Sequence, residues 1–129
     1  MVQIAYEKNK HVLVIDDVAD NIFLVQLTLE AQGYKVSTAN SGEAALNLLE
    51  TTRFKPDLII LDLMMPSMNG YEVINRLRNH HELAHICVFL MTANTEVSCE
   101  KAKEAGADEI LYKPIDIEQF VTKIELLNV

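Results

Sequence analysis

A chain of 129 residues is long enough for one domain with one hydrophobic core, and a composition that is 50% apolar predicts a folded protein. A formal net charge of −8 disfavours binding to nucleic acid or to anionic lipid, because both ligands need positive charge. No apolar run approaches the roughly 18 residues of a membrane span, and the first ten residues lack the pattern of a secretory signal. The two cysteines, Cys87 and Cys99, are too few for a disulfide framework, so two free thiols in a cytoplasmic protein are expected.

Five short β-rich runs alternate with five helical patterns along the chain. Asp20 and Asn21 are expected to cap the first helix, and Gly33 and Gly106 to close the first and fourth. The strands are predicted at residues 11–15, 35–39, 57–61, 86–91 and 109–112. The helices are predicted at about 20–32, 40–52, 71–80 and 95–105, and a last helix carries an apolar stripe formed by Ile117, Phe120, Val121, Ile124 and Leu127.

Five βα units in series predict a parallel sheet with helices on both faces. Right-handed crossovers leave few topologies, and the order 2-1-3-4-5 is the natural one for five units of this length. The sequence therefore predicts a flavodoxin-like, doubly wound α/β fold with a five-stranded parallel sheet. One domain is expected over residues 1–129, with a lead-in at 1–10 and a core at about 11–128.

Polar residues directly follow four of the predicted strands: Asp16 and Asp17 after the first, Asp62 after the third, Thr92 after the fourth and Lys113 after the fifth. In open parallel sheets, functional groups collect beyond the carboxyl ends of the strands. Three converging carboxylates repel one another unless a cation, a helix N-terminus or water offsets the charge. A cluster that offers only oxygen ligands suits Mg²⁺ or Mn²⁺. A cation, a lysine and a hydroxyl around one carboxylate predict a phosphoryl-transfer site, with the carboxylate as a candidate nucleophile.

Four segments carry a family resemblance: VLVIDD (12–17), LIILDLMMPSMNG (58–70), FLMTA (89–93) and AGADEILYKP (105–114). In this order, and each with an apolar strand, they make the chain resemble the receiver domain of two-component response regulators. The resemblance covers nearly the whole chain. It implies that Asp62 is the phosphoacceptor, Thr92 the switch hydroxyl and Lys113 the cation that pairs with Asp62 and then with the phosphoryl group.

The same resemblance implies a Mg²⁺ site. Asp17 and Asp62 would be direct ligands, Asp16 would help directly or through water, and the backbone carbonyl of Met64 would complete the protein's ligands. The Lys113–Pro114 bond is similar to one that is cis in the family, and a cis bond is readily accessible only before proline.

The chain departs from the family pattern at Ile110. Many receivers carry an aromatic residue three positions before the lysine, as a rotating partner of the switch hydroxyl. Here the aromatic residue is Tyr112, directly before Lys113. Because side chains alternate along a strand, Ile110 and Tyr112 should share one side of the fifth strand, so Tyr112 is a candidate substitute.

The function implied is a signalling switch that accepts a phosphoryl group from a histidine kinase or phosphotransfer protein and then changes partner binding. The downstream protein is expected on the face formed by helix four, strand five and helix five, and a homodimer is left open. Two alternatives are a Mg²⁺-dependent phosphohydrolase with an Asp nucleophile and a pseudo-receiver that only binds partners. Against the phosphohydrolase, Met64 stands where such enzymes commonly carry a second acid. The pathway, the cognate kinase and any output domain are not readable from the residues.

Overall fold

The computed structural model describes residues 10–53 and 55–127, which form five strands and five helices in strict alternation. The predicted lead-in lies outside the described residues except for Lys10, and so does the predicted end of the core at 128. The strands are β1 (His11–Ile15), β2 (Lys35–Ala39), β3 (Leu58–Asp62), β4 (Cys87–Thr92) and β5 (Glu109–Tyr112). The helices are α1 (Ala19–Ala31), α2 (Gly42–Thr51), α3 (Gly70–Arg78), α4 (Cys99–Glu104) and α5 (Ile117–Leu127).

All four strand pairings are parallel, and the strand order is β2-β1-β3-β4-β5. The predicted doubly wound sheet and its order are therefore confirmed. In the register, Leu61 of β3 lies between Ile15 of β1 and Leu90 of β4. This places the carboxyl ends of the three central strands side by side.

The core forms two layers, one on each face of the sheet. Alternate residues of β1 divide between them: Leu13 and Ile15 pack on the side of α2, α3 and α4, whereas Val12 and Val14 pack on the side of α1 and α5. Every residue of β3 is buried, which is why this strand reads as a continuous apolar run. Burying each large apolar side chain contributes about 1.5–3 kcal/mol, so the central strands are held firmly.

Side chains cap four of the helices at their N-termini. At the start of α5, the carboxylate of Asp116 accepts the Gln119 N–H at 3.1 Å. The hydroxyl of Ser41 accepts the Ala44 N–H at the start of α2, and that of Ser98 accepts the Lys101 N–H at the start of α4. Asn69 and Glu72 form a reciprocal capping box at the start of α3. These caps fix where each helix leaves the carboxyl edge of the sheet.

The first helix differs from its prediction at both its cap and its outer face. Its N-cap is Val18, which makes no side-chain hydrogen bond, so the expected caps Asp20 and Asn21 were wrong. The carboxylate of Asp16 accepts the Val18 N–H at 3.0 Å and turns the chain into the helix earlier. Leu24 and Leu27 recur at helical spacing along this helix but are exposed, and Val25 and Leu29 are its buried residues.

The fourth helix is shorter than predicted, starting at Cys99 rather than near Thr95. The side chain of Asn94 accepts the Glu96 N–H at 2.9 Å, and the carbonyl of Asn94 accepts the Val97 N–H at 3.2 Å. These local bonds hold a turn where the periodic pattern indicated helix. At the other end Gly106 closes the helix as predicted, with a φ of 107°.

Arg78, the last residue of α3, forms hydrogen bonds near the amino ends of β4 and β5, at the end of the sheet away from the carboxyl edge. Its guanidinium donates to the carbonyls of Ala84, Ile86 and Gly106 and to the carboxylate of Asp108, at distances between 2.6 and 3.1 Å. The C-terminal end of α4 and the start of β5 are therefore fastened to α3. Among the described residues, no helix is both long enough and apolar enough to cross a membrane.

Candidate functional site

The sequence-predicted site residues meet at the carboxyl edge of the sheet. Asp16 and Asp17 follow β1, Asp62 is the last residue of β3, Thr92 is the last of β4, and Lys113 follows β5. Each of the three aspartates places a carboxylate oxygen within 4.8 Å of the other two. The predicted convergence of the three carboxylates is confirmed.

Asp16 is fully buried and has a defined partner for each oxygen. Its Oδ1 accepts the Val18 N–H at 3.0 Å, and its Oδ2 accepts from Lys113 Nζ at 3.2 Å. Its own N–H donates to the carbonyl of Ala39 at the end of β2. Asp17, the next residue, is exposed, so the cluster combines a buried carboxylate with one that solvent can reach.

Asp62 is 4% exposed and lies 3.2 Å from Lys113 Nζ through its Oδ1. Burial raises the pKa of Asp62 above its usual value, and the neighbouring charge of Asp16 raises it further. Lys113 and the backbone N–H of Met64 partly offset this rise. A buried carboxylate with a raised pKa beside a specific cation is a group that functional sites commonly contain.

Lys113 bridges Asp16 and Asp62, with Nζ 3.2 Å from each. The three carboxylates and this one ammonium leave the cluster with a formal charge of −2. Because all the anionic ligands are oxygens, the donor set fits a hard divalent cation such as Mg²⁺. The sequence predicted the pair with Asp62 but missed the pair with Asp16, for which no local signal exists because the two residues are 97 positions apart.

Thr92 is fully buried at the end of β4. Its hydroxyl oxygen accepts the Asn94 N–H at 3.0 Å, and its carbonyl accepts the Lys113 N–H at 2.9 Å. In the sheet register Thr92 lies opposite Tyr112, just as Asp62 lies opposite Met91. The hydroxyl is therefore one strand away from the buried carboxylate.

The loop after Asp62 is held close to the strand. The Leu63 N–H donates to Met91, and the Gly70 N–H donates back to Leu63, each at 2.8 Å. A Cβ on Gly70 would lie 2.9 Å from the carbonyl oxygen of Asp62, so only glycine fits here. The sequence analysis did not predict this close approach. Met64 points outward and is 67% exposed.

Ile110 and Tyr112, where the chain departs from the family pattern, lie in different environments. Ile110 is 3% exposed and belongs to the core on the side of α2, α3 and α4. Tyr112 is 38% exposed, and its hydroxyl donates to the carbonyl of Val97 at 2.5 Å. The Lys113–Pro114 peptide bond is cis, as predicted.

A doubly wound parallel sheet with a buried aspartate, two further acids, a hydroxyl and a lysine at its carboxyl edge defines a phosphoryl-transfer signalling domain. Residues 12–125 match the family described as the response regulator receiver domain. The chain belongs to this family. It is a phosphorylation-dependent switch of two-component signalling, and the sequence-based prediction of this function is confirmed. It is a receiver-type signalling module.

Individual relatives agree with this family. The chain is 37% identical over 119 residues to the alkaline phosphatase synthesis transcriptional regulatory protein PhoP of Bacillus subtilis, covering 92% of this chain and 48% of PhoP. It is 38% identical over 118 residues to the response regulator PleD of Caulobacter vibrioides, covering 91% of this chain and 26% of PleD. The chain thus spans about half and about a quarter of these curated relatives.

Solved structures give the same result for the fold. The chemotaxis response regulator CheY4 of Vibrio cholerae superimposes with a TM-score of 0.82 at 30% identity, covering 92% of this chain and 98% of that one. Receiver domains generally use Mg²⁺, exchange phosphoryl groups with histidine kinases or phosphotransfer proteins, and act on downstream effector domains. The acidic cluster found here is consistent with that use of Mg²⁺.

Proposed function

We propose that this chain accepts a phosphoryl group on Asp62 from the phosphohistidine of a histidine kinase or phosphotransfer protein. The observation that carries the proposal is the bridge of Lys113 between Asp16 and Asp62, each at 3.2 Å. This bridge holds one buried carboxylate ready and keeps a cation beside the place where phosphoryl charge would arrive.

The chemical step is a displacement at phosphorus. An oxygen of the ionised Asp62 carboxylate forms the new P–O bond, the P–N bond of the donor breaks, and its electron pair returns to the donor imidazole. Because burial raises the pKa of Asp62, the ionised carboxylate is a stronger nucleophile than a solvated one. Lys113 pairs with Asp62 before the step and with a phosphoryl oxygen after it.

A divalent cation is proposed to bind at the same edge. Mg²⁺, or Mn²⁺, would be held by Asp17, Asp62 and the backbone carbonyl of Met64, with Asp16 contributing directly or through water. It would supply positive charge for the phosphoryl oxygens. The support is the set of three carboxylates, with oxygens within 4.8 Å of one another.

Phosphorylation is proposed to change the surface formed by α4, β5 and α5. The hydroxyl of Thr92 would leave its present partner, the Asn94 N–H, and donate to a phosphoryl oxygen. That movement would shift the population toward a form that binds a downstream protein on this surface. Support comes from exposed apolar area there, since Tyr112 is 38% and Ile117 44% exposed. A homodimer through the same surface is the alternative occupant.

The phosphoryl transfer is proposed to take place in the cytoplasm, since Cys87 and Cys99 are free thiols. The net charge of −8 argues against nucleic-acid binding by this part of the chain.

The test is intact-mass spectrometry after exposure to acetyl phosphate, with and without Mg²⁺. Wild type is expected to gain one phosphoryl group, only with Mg²⁺, and to lose it in mild base. Asp62→Asn is expected to gain none. The matched control is Asp57→Asn, because Asp57 is an exposed aspartate at the opposite end of β3 and should leave the adduct intact.

An adduct on Asp62→Asn would show that another residue is the acceptor. Repeated turnover of the phosphodonor without a stable intermediate in wild type would favour a phosphohydrolase. The absence of any adduct in wild type would favour a pseudo-receiver, with the acid cluster serving only to bind a cation.

A further inference from the structure

Tyr112 lies next to both ends of the loop between β4 and α4. At the start of this loop, Thr92 lies opposite Tyr112 in the sheet register. Near its end, the carbonyl of Val97 accepts the hydroxyl of Tyr112 at 2.5 Å. We propose that Tyr112 is a latch that holds this loop, and with it the Thr92 hydroxyl, in the unphosphorylated arrangement. The proposal rests on the proposed function of Thr92 and Asp62.

A continuous chain of hydrogen bonds joins the buried hydroxyl to this latch. Thr92 Oγ1 accepts the Asn94 N–H at 3.0 Å, and the carbonyl of Asn94 accepts the Val97 N–H at 3.2 Å. The Val97 carbonyl then accepts the Tyr112 hydroxyl. When the Thr92 hydroxyl turns to donate to a phosphoryl oxygen, the Asn94 N–H loses its acceptor. The turn that positions Val97 is thereby loosened.

The burial of these groups suits a latch that can open. Val97 is 8% exposed and anchors the loop in the core, whereas residues 93–96 are exposed. Tyr112 is 38% exposed, so a released hydroxyl would be hydrated. Because the released phenol finds water as a partner, the bond contributes only the net value of an ordinary hydrogen bond. A net bond of this size changes a conformational equilibrium about two- to tenfold.

Ile110 cannot take this role. It lies on the same side of β5 as Tyr112 but is buried in the core and has no polar side-chain atom. The Val97 carbonyl accepts its hydrogen bond from the hydroxyl of Tyr112. Because the aromatic residue lies directly before Lys113, its phenol hydrogen-bonds the backbone of the loop and stays partly exposed to solvent.

The latch also connects the loop to the proposed partner surface. Helix α4 starts at Cys99, two residues after Val97, with Ser98 as its N-cap. Opening of the latch frees the N-terminal end of α4 and exposes more of Tyr112 on the α4, β5 and α5 surface. Phosphorylation of Asp62 would thereby change this surface through successive movements of Thr92, the loop and Tyr112.

The test is Tyr112→Phe, which removes the hydroxyl and keeps the ring. The matched control is Tyr71→Phe on α3, outside this loop. Hydrogen exchange of the amides of Asn94 and Val97 in the unphosphorylated protein should become about two- to tenfold faster in Tyr112→Phe and stay unchanged in the control. Unchanged exchange at these two amides would overturn the latch.

Coupling to the site is measured separately, as the affinity for beryllofluoride with Mg²⁺, a stable mimic of the phosphoryl group on a carboxylate. Because the latch stabilises the unphosphorylated form, Tyr112→Phe should bind beryllofluoride about two- to tenfold more tightly. A residue with only a structural role would lower stability without tightening this binding. The gain should disappear in a Thr92→Ala background, because the effect runs through that hydroxyl.

Equal or weaker binding in Tyr112→Phe would overturn the coupling, as would a gain that persists in Thr92→Ala. Failure of the wild type itself to bind beryllofluoride would overturn the proposed function and the coupling together. The exchange experiment would still decide whether the latch exists.

Discussion

Lys113→Gln tests the electrostatic account of the site most directly. The ammonium of Lys113 lies 3.2 Å from both Asp16 and Asp62, and its side chain is 20% exposed. The Asp16 and Asp62 side chains are 0% and 5% exposed. Glutamine is a polar residue of similar reach, so the substitution removes chiefly the charge. Two nearly buried carboxylates are then left without their cation.

The expected loss follows from these distances and exposures. At 3.2 Å and an effective dielectric constant of roughly 20, each ion pair is worth about 5 kcal/mol before desolvation is subtracted. Removal of one partner from a buried pair usually costs about 3–5 kcal/mol. Because Lys113 is partly exposed, the lower end applies, and the free energy of unfolding should fall by about 3 kcal/mol at neutral pH.

The loss should depend on pH with a definite sign. Burial and Asp16 already raise the pKa of Asp62 in the folded state, and Lys113 opposes this rise. Without Lys113 the pKa of Asp62 rises further, so the folded protein binds a proton that the unfolded chain does not. The deficit in stability is therefore present above this pKa and shrinks as the pH falls through it.

Urea unfolding with and without Mg²⁺, at neutral and at acidic pH, measures these effects. Mg²⁺ should restore much of the lost stability and bind more tightly to Lys113→Gln, because it no longer competes with the ammonium. The control is Lys123→Gln, whose ion pair with Glu109 is longer, at 3.6 Å, and partly exposed, so it should cost about 0.5 kcal/mol. Equal losses in the two variants, or a loss that neither acid nor Mg²⁺ reduces, would refute this reasoning.

Three further variants or reactions test the same site and its support. Gly70→Ala should lower the free energy of unfolding by about 1–3 kcal/mol, because its Cβ would lie 2.9 Å from the backbone oxygen of Asp62, whereas Gly42→Ala would meet only side chains and should cost less in the same urea unfolding experiment. Asp62→Asn should raise the free energy of unfolding by about 1 kcal/mol at neutral pH, because a buried charge with a raised pKa is removed, and the gain should vanish in acid. Iodoacetamide at mildly alkaline pH should modify the exposed Cys99 and spare Cys87, because burial raises the pKa of Cys87 to about 12; peptide mapping that finds both thiols modified in the native protein would contradict this.

The fold was predictable because its signals are local. Continuous apolar runs indicated buried parallel strands, and polar residues at their ends indicated a shared edge, so the convergence of Asp16, Asp17 and Asp62 could be expected before the structure. The start of α4 was not predictable from periodicity, since the side-chain bond of Asn94 competes with the helix. The pairing of Asp16 with Lys113 joins residues 97 positions apart, so no local pattern indicates it.

The cap of the first helix was also not predictable from local sequence. The cap of α1 was misassigned to Asp20 and Asn21 because no local pattern indicates that the Asp16 carboxylate accepts the Val18 N–H and turns the chain there. The separation of Leu24 and Leu27 from the core likewise depends on how α1 lies on the sheet. The roles of Asp62, Thr92 and Lys113 in phosphoryl transfer stay predictions until the phosphorylation experiments are done.

The guanidinium of Arg78 holds the C-terminal end of α4 with more hydrogen bonds than hold its N-terminal end. It fastens Gly106 and Asp108 just beyond the C-terminal end of the helix, with a planar group whose donors are all directed at fixed acceptors. The N-terminal end, by contrast, depends on the contact between Tyr112 and Val97. When the contact between Tyr112 and Val97 opens, we therefore expect α4 to tilt about its C-terminal end. Displacements should increase from Gly106 toward the start of the helix, so a partner that senses phosphorylation would gain most by contacting that start.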